Sequence, residues 1–156
     1  MKSDEAPDLD GVVPLTENHP PGQNKAFKEA RQRAHEYVAS HKVSAIEQEY
    51  LGACIDGIVY IFLMKVGPTQ KDVAPWIWVI VGDIPSACLK SFKNETPYEA
   101  LRAYIEVMDD WAAAARKGKS VGGLAPVNVP ATPENAEMLG SRLRFLEQKI
   151  LPMLKE

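Results

Sequence analysis

The chain has 156 residues, enough for one domain that buries roughly 70% of its unfolded surface. Its 46% apolar and 25% charged residues match an average folded protein and exclude a disordered bulk or a fibrous repeat. The net charge of −3 belongs to residues 1–23, where Asp4, Glu5, Asp8, Asp10 and Glu17 stand against Lys2, and the other 17 basic and 16 acidic groups nearly cancel. That balance excludes a global field for nucleic-acid binding.

The longest apolar run, Ile58 to Met64, is far short of the about 20 residues that cross a bilayer. The start, Met1 to Asp10, is acidic where a secretory leader is basic and then apolar. Cys54 and Cys88 read as buried thiols of a reducing compartment, with a single bridge as the alternative. A cytoplasmic protein is expected, with no membrane contact and no cofactor.

Residues 1–23 read as a flexible acidic arm punctuated by Pro7, Pro14, Pro20 and Pro21. The alternative is a strap in which Val12 to Leu15 docks on the domain. Residues 24–156 read as one α+β domain.

Phe27, Ala30, Ala34 and Tyr37 or Val38 recur at helical spacing and predict an amphipathic helix from Asn24 to about Ser40. Its basic groups Lys25, Lys28, Arg31 and Arg33 are interleaved with Glu29 and Glu36, and no nucleic-acid motif accompanies them. Ser44 with Glu47 has the form of a capping box and predicts a second, short helix to about Leu51. Gly57–Val66 and Ala74–Gly82 predict a β-hairpin whose strands are apolar at consecutive positions, so that both faces are covered. Ala87–Phe92 is a candidate third strand.

Thr96-Pro97-Tyr98-Glu99 opens a helix closed by Lys117-Gly118, and Thr132-Pro133-Glu134 opens the last one. In the last helix Ala136, Leu139, Leu143, Leu146, Ile150 and Met153 form a seam suited to another helix, with the Thr96 helix as the expected partner. The resulting class is α+β: a small antiparallel sheet, a hairpin or three strands, packed with about four helices.

Gly118–Ala131 is a long connection for packed helices. Its Val121, Leu124 and Val127 either press onto the body or present a partner surface, as do Trp76 and Trp78 on one strand face.

Most catalytic chemistry fails on context. Gly118-Lys119-Ser120 lacks both the upstream glycine and the preceding strand of a P-loop. No paired Cys or His elements suit zinc, and His35 and His41 fall on different faces of the helix. Cys88 has no neighbouring base and reads as an inert thiol. The surviving constellation is Asp56 with Asp83, which an antiparallel hairpin brings to one end of the sheet. There they form either a carboxylate site for a divalent cation or small molecule, or two turn residues that bond their own backbone.

The run Trp76 to Pro85, and Pro126-Val127-Asn128-Val129-Pro130 ahead of the last helix, resemble uncharacterised bacterial proteins of similar size, over residues from about 55 to 155. The resemblance implies no activity and assigns no functional residue. The functional expectation is therefore a non-catalytic protein-binding module, accessory or immunity-type, with a protein partner or a second copy of itself. The alternative is a metal- or small-molecule-binding protein or enzyme centred on Asp56 and Asp83.

Overall fold

The computed structural model describes residues 12–14, 25–40, 45–55, 57–67, 76–91, 95–124, 127 and 129–154. They form an α+β structure, with the elements β1 (Val13–Pro14), α1 (Lys25–Ala39), β2 (Ala45–Ile55), β3 (Val59–Gly67), β4 (Trp76–Gly82), β5 (Ile84–Lys90), α2 (Pro97–Arg116), α3 (Pro133–Phe145) and a short α4 (Leu151–Leu154). The chain divides into two compact units, residues 1–100 and 101–156.

In the first unit the strands form one antiparallel sheet in sequence order, β1-β2-β3-β4-β5. The expected hairpin is its centre, β3 with β4, paired from Val59↔Gly82 to Lys65↔Trp76. Alternation sorts its side chains onto two faces. Tyr60, Phe62, Met64 and Val66 of β3 and Ile77, Val79 and Val81 of β4 join Phe27, Ala30, Ala34 and Val38 of α1 in one core. Ile61, Leu63, Trp78 and Ile80 point to the opposite face and are equally buried. There the Trp78 indole N–H donates to Glu95 at 3.0 Å.

The expected third strand exists as β5 and begins earlier, at Ile84, directly after Asp83. The sharp change of direction needs Gly82, whose φ is +148°, and a Cβ there would collide with the Ile58 carbonyl oxygen. The space lets the Asp83 N–H donate to that same carbonyl at 3.0 Å. At the other side of the sheet, Val12 is buried and Val13–Pro14 pairs with Tyr50 and Leu51 of β2.

One expectation of secondary structure is corrected. Residues 45–55 are not a capped helix but the strand β2, paired with β3 from Ala45↔Gly67 to Ile55↔Val59 through two register shifts. Strand β3 follows an unbroken apolar run, and as an edge strand it would leave that run and its ladder groups open to water. Pairing with β2 closes the edge, and this distant demand outweighs a local cap. Glu47, expected to cap a helix, instead lies 4.0 Å from Lys65 across the strands. Among the described residues three long helices and the short α4 therefore stand where about four helices were expected.

Both Thr-Pro helix starts are as read. The Thr96 N–H donates to Glu99 at 3.0 Å, while the Glu99 N–H approaches the Thr96 hydroxyl at 3.4 Å, the reciprocal exchange of a capping box. Thr132 accepts from the Asn135 N–H at 3.1 Å. Helix α2 ends at Gly118, φ +70°, where the Lys119 N–H donates to Ala114 and the Gly118 N–H to Ala115, a Schellman closure.

In the second unit α3 runs antiparallel to α2. Arg144 bonds Asp109 at 2.8 Å, and Arg116 lies 3.7 Å from Glu137. The expected seam is buried from Ala136 through Leu139, Leu143 and Leu146 to Ile150, but Met153 is 64% exposed. A π-helical turn at Leu146–Ile150, where the Leu151 N–H donates to the Leu146 carbonyl, rotates the final helical turn relative to α3. Leu151 then turns inward in place of Met153. Pro152 supplies the local cause, since a proline offers no N–H and crowds the carbonyl four residues before it.

Candidate functional site

Asp56 lies outside the described residues, and Asp83 is exposed at the β4–β5 turn. Among the described residues no group of three or more His, Cys, Asp or Glu is placed to hold a metal ion. Trp76 and Trp78 are 7% and 0% exposed, and Trp76 lies beside the Tyr50 ring with centroids 6.1 Å apart. Both indoles belong to the core of the opposite face. Val121, Leu124 and Val127 are half-buried.

Cys88 is half-buried on β5, and burial pushes its thiol up to about 11. A thiol held protonated at neutral pH is a poor nucleophile. Cys54 is exposed and no disulfide links it to Cys88, which corrects the expectation of two buried thiols. It lies on β2 at the end where the two-residue β1 gives no cover.

Two features emerge that the sequence did not single out. The first joins α1 to β2. The Arg31 guanidinium donates to both oxygens of Glu49, from Nε at 3.1 Å and Nη2 at 2.8 Å, and His35 Nε2 lies 3.0 Å from each of the same oxygens. The Glu49 side chain is 7% exposed while its partners stay partly in water. Burial of this carboxyl raises its pKa, but the hydrogen bonds and charges of His35 and Arg31 more than offset that, and the result lies below the ordinary 4.5. Arg31 and His35 stand four apart on α1 and so share a helix face. That spacing was the available signal, and it was masked because the acid's own segment was read as helix.

The second feature is an apolar stripe on the last helix. The large apolar side chains exposed among the described residues are Val129, Met138, Phe145 and Met153, at 48, 56, 44 and 64%, and all lie between positions 129 and 153. Met138 and Phe145 are seven residues apart, which is within about 20° of two full turns. Eight α-helical residues from Phe145 to Met153 would overshoot by about 80°, but the π turn absorbs one residue and restores the alignment. Three large apolar side chains thus follow one line of the helix surface, away from the buried seam. The sequence signal was present in the seven-residue spacing, but Met153 was assigned to the seam.

No helix among the described residues is long and apolar enough to cross a membrane. No family model, curated protein or solved structure matches the chain.

Proposed function

We propose that the protein is a non-catalytic protein-binding module, a bacterial accessory or immunity-type protein of the cytoplasm, that acts by contact. The observation that carries this reading is the exposed line Met138, Phe145 and Met153. Exposed apolar side chains aligned on one element mark interaction surfaces more than scattered ones do, and methionine adapts well to a partner's shape. The reactive-looking groups support the same reading. Glu49 and Asp109 are engaged in ion pairs, and the Cys88 thiol is held protonated. The exposed thiol of Cys54 suits a reducing compartment.

The test is affinity capture with the full chain from native lysate, run beside a Met138→Ser/Met153→Ser variant. A stoichiometric partner, another protein or a second copy, retained by the native chain and lost by the variant, supports the reading. Equal capture by both overturns the stripe as the surface. Recovery of no partner, the chain itself included, overturns the binding module.

A further inference from the structure

We infer that the outer edge of β2 is a docking site for an extended peptide, which the chain fills in cis with its own residues Val12–Pro14. The site lies in the first compact unit and the apolar stripe in the second, so the inference does not depend on the stripe.

In the sheet order β1 is the neighbour of β2 on that side. Among the described residues it pairs with Tyr50 and Leu51, whereas β2 runs through 11 residues. Where it sits is selective. The pairing of β2 with β3 shifts register between Ile46 and Gln48 and again between Leu51 and Ala53. These irregularities bracket Gln48–Leu51, the longest stretch of β2 whose register is unbroken. An incoming strand needs regular backbone to ladder against, and bulges along an edge deter it. The chain's own segment thus occupies the stretch most open to another strand.

The hold is that of a docked peptide rather than of a built-in strand. Strand β1 has two residues, and Pro14 brings no N–H to the ladder. By contrast β5, at the opposite edge, has seven residues and pairs with β4 from Ile77↔Lys90 to Gly82↔Ile84. What supplements the short ladder of β1 is an anchor just before it, Val12, which is 8% exposed. Main-chain pairing plus an inserted side chain is how sheet edges take up extended peptides. A tether turns such a weak contact into an occupied one, because it holds the segment at an effective concentration in the millimolar range. An untethered peptide of the same chemistry, an aliphatic side chain followed two residues on by proline, fits the edge once the tethered segment is unseated.

Backbone amide exchange followed by NMR on the full chain tests this at two adjacent positions. Successive amides of a strand point to opposite sides, so of Tyr50 and Leu51 one faces β1 and the other β3. In Val12→Asp the amide facing β1 is expected to exchange at least about tenfold faster, as local opening allows, with the other unchanged. Val12→Thr, of nearly the same shape, gives the same pattern in smaller degree and serves if Val12→Asp does not fold. A synthetic peptide of residues 8–15 is then titrated to about 5 mM, above the tethered concentration. It shifts the Tyr50 and Leu51 resonances of the variant and restores the slow exchange, while the native chain, its edge filled, does not respond. Equal exchange in the native chain and the variants overturns the strap. An unseated variant that ignores the peptide overturns the docking site, and a native chain that responds as strongly overturns its occupation in cis. If the unseated variant gains mass in sedimentation and the peptide reverses the gain, a second copy's strand has taken the place of Val12–Pro14, which supports the site.

Discussion

At the scale of single residues, Glu49 concentrates the most electrostatic consequence. A carboxylate buried beside an apolar core is costly unless paired, and here Arg31 and His35 supply the pairing from one face of α1. Glu49→Ala removes the acceptor that Arg31 and His35 share, and a loss of about 1.5–3 kcal/mol is expected from charge-assisted hydrogen bonds of this kind, read as a lower urea midpoint. The pH dependence has a definite sign. Because the folded value of Glu49 lies below 4.5, its stabilisation is complete above the ordinary carboxylate range. It is lost as pH falls through the depressed value. The native chain should therefore lose stability on acidification below about pH 4.5, the reference range of a carboxylate, more steeply than Glu49→Gln. Superimposable pH profiles would remove the cluster from the account of stability. The sequence offered Arg31 and His35 at the right spacing, but no local pattern announces which distant acid completes a pair.

At the scale of elements, what is encoded locally was legible and what depends on partners was not. Helix α1 was read to within a residue or so, because its apolar period is carried by its own side chains. Both Thr-Pro starts announced α2 and α3, because capping is a contract among four consecutive residues. Residues 45–55 failed the same test. Ser44 and Glu47 satisfy the form of a cap, but the need of β3 for a neighbour decides the outcome, and that need is written in residues 58–64. The π turn was likewise invisible, since it arises where the ladder meets Pro152. The caps themselves are directly testable. Thr132→Ala removes the acceptor for the Asn135 N–H and should cost about 1 kcal/mol, whereas Thr132→Asn keeps an acceptor and should lose little. Thermal melts of the two variants check the difference, and equal loss from both would show that the hydroxyl's bond is not what holds the helix start.

At the scale of the whole molecule, the central feature is a sheet sealed on two faces, and its consequence is testable at adjacent positions of one strand. A sheet with one face in water alternates apolar and polar residues, and only every second substitution is then costly. Here Phe62 faces the α1 core while Leu63, its neighbour, faces the opposite side against Trp78 in register, and both are fully buried. Phe62→Ala should cost about 3–5 kcal/mol and Leu63→Ala about 2–5 kcal/mol, in each case the lost transfer energy plus the cavity left behind. The first loss tests the cover given by α1. The second tests the other face independently, because strand geometry keeps the two side chains from sharing neighbours. Urea denaturation of the two variants against the native chain is the measurement, with unchanged slopes required for the comparison. If Leu63→Ala costs less than about 1 kcal/mol, well under the usual range for a buried leucine, the second face is not sealed. The apolar run of β3 would then demand a different explanation, a partner laid on that face.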